Sequence, residues 1–159
     1  MSRIAMPMAG GCICGNVRFA IESAPLIAHA CHCRDCQKHT GSAFSLGLVL
    51  HATSFNVTRG TAVPGFSKGI NQHHFCPECH CWLWSIPGNS PDMIALRATF
   101  LDDPSWFVPM MEVNTVERLP WSGTLARFSY ERMPDPADYS NLVKAFSDWL
   151  MADTPPRTA

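Results

Sequence analysis

The sequence predicts a mostly β protein with one C-terminal helix, and three observations support this fold class. Short apolar runs between residues 17 and 130 have the length of strands, and several alternate in the period of a half-buried strand. Glycine and proline separate many of these runs, as turn residues do. Near the C-terminus the apolar spacing changes to three and four residues, which is typical of an amphipathic helix.

Seven segments have the length and pattern of a strand. They cover residues 17–22, 43–50, 55–59, 82–86, 93–100, 107–114 and 124–130. Several glycines and a proline follow the third segment, and Pro87-Gly88 ends the fourth. We therefore expect a small sheet of short strands joined by turns.

An amphipathic helix follows the last predicted strand. Its apolar stripe consists of Tyr139, Leu142, Val143, Phe146, Trp149 and Leu150. Asp135 is suited to cap this helix and Pro136 to occupy its first position. We expect the stripe to pack on the sheet rather than to bind a partner.

Length and composition fit one folded unit. The chain has 159 residues, and its 47% hydrophobic content is enough for a sizeable core. We expect a single domain over residues 1–153 and a disordered tail over residues 154–159.

The charge balance argues against nucleic acid as a partner. The chain has 12 Lys and Arg against 13 Asp and Glu, and no basic run follows a path suited to a phosphate backbone. No apolar stretch approaches the roughly 20 residues that cross a bilayer, and the first ten residues lack the pattern of a signal peptide. We therefore expect a cytoplasmic protein without membrane contact. Its oligomeric state stays open, a homo-oligomer included.

Eight cysteines are the most informative feature of the sequence. They fall into three clusters: Cys12 and Cys14, then Cys31, Cys33 and Cys36, then Cys76, Cys79 and Cys81. Disulfide frameworks are typical of small secreted domains, whereas these tight spacings in a reducing compartment favour metal ligands. We expect two zinc sites.

The first and third clusters fit a structural zinc site. Zinc takes four tetrahedral ligands, and a pair of closely spaced cysteines supplies two of them. Cys12 and Cys14 are expected to combine with Cys76 and Cys79. The binding free energy of the metal would then stabilise the fold.

The middle cluster fits an open zinc site. Cys31, Cys33 and Cys36 supply three thiolates within six residues, and three protein ligands with one vacancy are typical of catalytic zinc. A thiol that enters the vacancy would lose its proton to become a thiolate. Two alternatives stay open: Cys81 closes this site as a fourth ligand, or the thiolates hold an iron–sulfur cluster.

Three segments resemble the glutathione-dependent formaldehyde-activating enzyme family. They are residues 11–19 (GCICGNVRF), 31–36 (CHCRDC) and 75–79 (FCPEC), and residues 101–104 (LDDP) and 120–121 (PW) are similar to later landmarks. The resemblance implies a mostly β, Mss4-like fold with a structural zinc site at the first set of four cysteines. It implies a catalytic zinc at the middle three and, as the activity, the condensation of glutathione with formaldehyde to S-hydroxymethylglutathione, formally a carbon–sulfur lyase reaction in reverse.

His80 and Cys81 depart from the family pattern, in which a glycine and a small polar residue are usual. A left-handed turn is unfavourable for most residues other than glycine, although His is among the less disfavoured. Cys81 has three possible fates: an inert thiol, a replacement ligand, or the fourth ligand that closes the middle site.

Some other side chains are candidates for proton transfer or substrate binding. His32 and His39 lie near the middle cluster and could move a proton, although solvated loop histidines are the more common case. Arg34, Lys38 and Arg97 could meet substrate carboxylates, although solvated charges at loops are the usual finding.

Two functions remain in view. The first is a zinc-dependent carbon–sulfur lyase-type enzyme, in which Cys31, Cys33 and Cys36 are catalytic, that joins glutathione or a similar thiol to formaldehyde or another aldehyde. The second is a binding or scaffold module in which both zinc sites are closed. A weaker third hypothesis is redox cycling of the middle cysteines.

Overall fold

The computed structural model describes residues 2–152, so the tail predicted for residues 154–159 lies outside the described residues. Within residues 2–152 there are eleven strands: β1 Met8–Gly11, β2 Arg18–Ile21, β3 Ile27–Cys31, β4 Ser45–His51, β5 Phe55–Arg59, β6 Val63–Pro64, β7 Gln72–Phe75, β8 Trp82–Ile86, β9 Met93–Arg97, β10 Met111–Val113 and β11 Phe128–Ser129. The same residues form two α-helices, α1 Arg34–Thr40 and α2 Tyr139–Met151. Short 3-10 turns cover Ala52–Ser54, Ala98–Phe100, Thr115–Glu117 and Pro136–Asp138. The predicted mostly β class with a C-terminal helix is confirmed.

The strands form two sheets. The smaller has the order β1-β2-β5, and the larger has the order β11-β10-β3-β4-β9-β8-β7-β6. Strand β10 pairs in parallel with β3 and β11, while the other pairs are antiparallel. This order places β3, β4 and β9 side by side, with Cys31 opposite Ser45 and Gly47 opposite Arg97.

One apolar core joins both sheets and α2. Phe19, Ile21, Leu48, Leu96 and Phe146 are almost fully excluded from solvent. Burying a side chain of this size stabilises a fold by about 1.5–3 kcal/mol. Cys12, Cys31 and Cys76 belong to the same buried cluster, so the core packs directly against the cysteine-bearing segments.

Helix α2 packs on β3 through its apolar stripe. Leu142, Phe146 and Leu150 are the buried positions, as the spacing predicts. Asp135 caps a short turn: its carboxylate accepts a hydrogen bond from Ala137 N at 2.9 Å, and this 3-10 turn leads into the helix at Tyr139.

The predicted strands differ in how well their bounds match the structure. Residues 55–59 and 82–86 are strands with the predicted ends. The segment 93–100 leaves the sheet after Arg97 and finishes as a 3-10 turn, while segments 107–114 and 124–130 contribute only Met111–Val113 and Phe128–Ser129. Among residues 2–152, no helix is long and apolar enough to cross a membrane.

Candidate metal centres and substrate pocket

The first and third cysteine clusters come together where β1 and β7 end. The sulfur atoms of Cys12, Cys14, Cys76 and Cys79 all lie within 4.8 Å of one another. The Cys12–Cys14 and Cys14–Cys76 sulfurs are 3.4 Å and 3.7 Å apart, too far for disulfides. A zinc–sulfur bond of about 2.3 Å in tetrahedral geometry puts the sulfurs about 3.8 Å apart. These four residues fit a zinc ion.

Two tight turns shape this centre. The amide of Gly15 donates to Cys12 O at 3.0 Å with Gly15 at φ +74, and the amide of His80 donates to Cys76 O at 3.0 Å. His80 has φ 59, so the left-handed turn is kept although the residue is not glycine. Burial disfavours the Cys79 thiolate, but hydrogen bonds from the backbone of Cys81 and Cys14 outweigh it and lower the pKa of Cys79 to about 6.

The middle cluster is built by the end of β3 and the start of α1. The sulfur atoms of Cys31, Cys33 and Cys36 lie within 4.8 Å of one another. Cys33 is the N-cap of α1, and its sulfur accepts a hydrogen bond from Cys36 N at 3.3 Å. Asn114 Nδ2 donates to Cys31 Sγ at 3.3 Å. Three sulfur atoms thus converge on one point, and the Asn114 amide is hydrogen-bonded to one of them.

Hydrogen bonds among these three thiols change how readily each one loses its proton. Hydrogen bonds from Cys33 and Cys36 lower the pKa of Cys31 well below its usual value. Hydrogen bonding to Cys31 in turn raises the pKa of Cys33 and of Cys36, and the charge on Cys31 adds to this effect. Three thiolates at neutral pH therefore require a cation between them, and the donor set fits zinc.

Cys81 belongs to neither group of sulfurs. Burial raises the pKa of Cys81, a hydrogen bond with the backbone of Ile13 opposes this effect, and hydrogen bonding to Cys79 adds to it. Cys81 therefore lies beside the first centre. In the part of the chain that the structure describes, the middle cluster gains no fourth cysteine.

A buried histidine–glutamate pair holds the loop between the middle cysteines. His32 is 0% exposed, and its Nε2 lies 3.0 Å from Glu112 Oε2. Thr124, Ser129 and Arg118 also donate to the Glu112 carboxylate, at 2.8 Å, 2.9 Å and 3.2 Å. Burial disfavours the carboxylate, but these hydrogen bonds together hold the pKa of Glu112 below its usual value. The expectation that His32 is a solvated loop histidine is wrong.

Further hydrogen bonds attach α1 to the segment after β10. Gln37 Nε2 donates to His32 O at 2.6 Å and to Glu117 O at 3.0 Å, and Arg34 N donates to Glu117 Oε2 at 2.6 Å. Sequence reasoning missed Glu112, Asn114 and Glu117. Glu112 and Asn114 are polar residues within the predicted segment 107–114, and Glu117 follows that segment. Their partners His32, Cys31 and Arg34 lie about 80 positions earlier in the chain.

A pocket of about 470 Å³ opens beside the clusters. Its lining residues are His39, Thr40, Ser42, Phe44, Ser45, Leu46, Cys79, His80, Cys81, Trp82, Arg97, Thr99 and Phe100. The rings of His39 and Trp82 are 5.0 Å apart, and those of His39 and His73 are also 5.0 Å apart. Ser85 Oγ accepts a hydrogen bond from Trp82 Nε1 at 3.0 Å and lies 2.7 Å from His73 Nδ1, which fixes this wall.

The three cationic candidates occupy different environments. Arg34 and Lys38 are exposed on α1, whereas Arg97 is 6% exposed and lines the pocket. Arg97 is therefore not the solvated loop charge that is usual for arginine.

Comparisons with known proteins match most of the chain. The model of the family described as "Glutathione-dependent formaldehyde-activating enzyme" matches residues 7–117. A Halomonas elongata protein named "Putative glutathione-dependent formaldehyde-activating enzyme" is 28% identical over 106 residues, 61% of this chain and 67% of that protein. A crystal structure of a Rhodobacter sphaeroides protein has a similar fold, with a TM-score of 0.51 and 21% identity, over 60% of this chain and 88% of that one. The family match spans all three cysteine clusters, Glu112 and Arg97.

Proposed function

Because the chain belongs to the glutathione-dependent formaldehyde-activating enzyme family, we propose that it joins glutathione or a similar thiol to formaldehyde or another aldehyde. This is a carbon–sulfur lyase reaction in the direction of bond formation. One observation carries the proposal: three cysteine sulfurs converge, Cys31 lies across the sheet from Ser45 in the pocket wall, and the described residues supply no fourth cysteine.

Two zinc ions are part of the proposal. Cys12, Cys14, Cys76 and Cys79 would hold the structural ion, and Cys31, Cys33 and Cys36 the catalytic one. When bound at the middle cluster, zinc supplies a Lewis-acid position that lowers the pKa of an incoming thiol.

The chain itself supplies orientation. Asn114 donates to Cys31, and the Glu112–His32 pair fixes the backbone between Cys31 and Cys33. These contacts hold the three sulfurs in place before any ligand arrives, so little reorganisation accompanies binding.

A proton must move from the thiol to the aldehyde oxygen. In the reaction, sulfur bonds to the aldehyde carbon, the carbonyl π bond breaks, and the oxygen takes up the proton that the thiol has lost. His39 lines the pocket at the end of α1 and is the group we assign to this transfer. Burial and the charges of His39 and Arg97 lower the pKa of His73 to about 4, so His73 is neutral at pH 7.

Isotope-edited NMR with labelled formaldehyde, glutathione and zinc-loaded protein tests this function. We expect S-hydroxymethylglutathione to form faster than in buffer, and Cys33→Ser to bring the rate back to the uncatalysed value. Lys38→Gln, which changes an exposed residue of the same helix, is the matched control and should keep the wild-type rate. A Cys33→Ser protein with the wild-type rate would rule out the middle cluster as the catalytic site.

A further inference from the structure

Arg97 is a buried cation without a counter-charge from a carboxylate. Its guanidinium makes one hydrogen bond within residues 2–152, from Nη2 to Ala95 O at 3.3 Å, and its Nε is buried with no partner. No Asp or Glu oxygen of the described residues forms an ion pair with it. Burying a charge in this way is unfavourable unless something pairs with it.

The fold holds this guanidinium in one place. Arg97 lies at the end of β9 opposite Gly47, and its Cζ is 4.3 Å from the centre of the Trp82 ring. A Cβ atom on Gly47 would come within 2.5 Å of the His29 ring and within 3.1 Å of Arg97 Nη2, so glycine leaves room for both side chains. The planar fork of N–H groups is therefore preorganised at the pocket wall.

Ser45 is a second unpartnered polar group in the same wall. It is 1% exposed, and its hydroxyl has no hydrogen-bond partner within the described residues. Ser45 pairs across the sheet with Cys31, so it lies next to the middle cluster. Both Ser45 and Arg97 line the pocket. Buried polar groups are nearly always hydrogen-bonded, so this pair of unpartnered donors points to a ligand that accepts hydrogen bonds.

The middle cysteines lie close enough to act on this cation. Burial lowers the pKa of Arg97, and the negative charge of Cys36, Cys31 and Cys33 opposes that effect. The strand register gives the same placement: Ser45 lies opposite Cys31, and Gly47, two residues further along β4, lies opposite Arg97. A ligand held by Arg97 and Ser45 would therefore lie near Cys31.

We propose that Arg97 and Ser45 bind a carboxylate of the thiol substrate, which makes the enzyme selective for acidic thiols. This inference rests on the proposed function. Arginine matches a carboxylate through two parallel hydrogen bonds, and the serine hydroxyl adds a third donor. The carboxylate belongs to the thiol because glutathione carries two carboxylates and formaldehyde carries none.

Calorimetric titration of the zinc-loaded protein, without aldehyde, tests the inference. The probes are 3-mercaptopropionate and its neutral amide, 3-mercaptopropionamide. The wild type should bind the acid about tenfold to a hundredfold more tightly than the amide, the range expected for hydrogen bonds to a charged group. Arg97→Gln should remove this preference and leave the affinity for the amide unchanged. Ser45→Ala should reduce the preference by a smaller factor, and the control Lys38→Gln should keep it.

Three results would overturn the inference. The first is equal affinity of the wild type for acid and amide. The second is loss of zinc from the Arg97→Gln protein, or equal weakening of both probes, because Arg97 would then be a counter-charge for the cysteine cluster. The third comes from turnover with neutral 2-mercaptoethanol and glyoxylate: an Arg97-dependent KM for glyoxylate, with no preference among thiols, would assign the carboxylate to the aldehyde.

The binding assay also separates this inference from the proposed function. A protein that binds acidic thiols through Arg97 but never accelerates their reaction with formaldehyde would refute the function and support the binding site.

Discussion

Replacing Glu112 is the perturbation for which the structure gives the most detailed expectation. Its carboxylate accepts four hydrogen bonds, from His32, Thr124, Ser129 and Arg118. Glu112→Ala removes the acceptor for all four donors and leaves His32 buried without a partner. The unpartnered His32 N–H costs about 1–3 kcal/mol and each of the other three lost hydrogen bonds about 0.5–1.5 kcal/mol, so we expect a loss of at least about 3 kcal/mol in the free energy of unfolding.

Glu112→Gln should cost less because its amide can be satisfied. The amide oxygen can replace Oε1 and accept from Arg118 and Ser129, while the amide nitrogen can donate to the Thr124 hydroxyl and to His32 Nε2. The His32 proton must then move to Nδ1, which is buried and has no partner within residues 2–152. One buried unpartnered N–H costs about 1–3 kcal/mol.

Urea unfolding of the zinc-saturated proteins, followed by tryptophan fluorescence, measures both losses. The contribution of Glu112 is present above its ordinary pKa of 4.5 and is lost as pH falls through the lowered pKa of the folded state. The difference between wild type and Glu112→Gln should therefore shrink below about pH 4.5. A cost below about 1 kcal/mol for Glu112→Ala, or equal costs for the two variants, would refute the reasoning.

Three further predictions follow from the cysteine centres and the histidines. Cys33→Ser should abolish thiol-dependent turnover and leave the fold intact, whereas Cys76→Ser should destabilise the chain because it removes a structural ligand. Circular dichroism and metal analysis distinguish these two outcomes, and an unfolded Cys33→Ser protein would contradict the assignment of a catalytic role to one centre and a structural role to the other. The unfolding free energy should fall as pH drops from about 6.5 towards 4, because the fold lowers the pKa values of His73 and His29 to about 4 and about 3, so only the unfolded chain protonates them in this range. His73→Gln should make the free energy of unfolding depend less on pH, and an unchanged pH dependence would contradict this explanation. His80→Gly should stabilise the fold by up to about 1 kcal/mol, because glycine tolerates φ 59 without strain, and a lower melting temperature would contradict this.

The sequence predicts the fold class well because short-range patterns carry it. Weak alternation predicts β5, an apolar run ended by Pro87-Gly88 predicts β8, and apolar spacing predicts α2. Strand β3 escapes detection because it is buried along most of its length and its central residues Ala28, His29 and Ala30 are small or polar, so no alternation remains. Helix α1 is hidden because it begins inside the CHCRDC segment, which carries metal-ligand spacing rather than an apolar period.

In the candidate site, too, the sequence predicts the features that depend on neighbouring residues and misses those that depend on distant ones. Short cysteine spacings predict which sulfurs converge, because the cysteines of one cluster are neighbours in the sequence. The structure brings together the same two sets. Glu112 and Ser45 depend on strand pairing between distant segments, which no local pattern reveals. The sequence favours a solvated Arg97. Its burial cannot be predicted locally, because it depends on contacts with Trp82 and Gly47 from two other parts of the chain.

Cadmium NMR of the protein in which cadmium replaces zinc tests the central claim most directly, namely that the middle cluster holds a metal with a position open to a thiol. We expect two cadmium resonances, of which one shifts when glutathione is added and is absent from the Cys33→Ser protein, while the other stays unchanged. Two resonances that both ignore glutathione, or a single resonance from the wild type, would contradict the account.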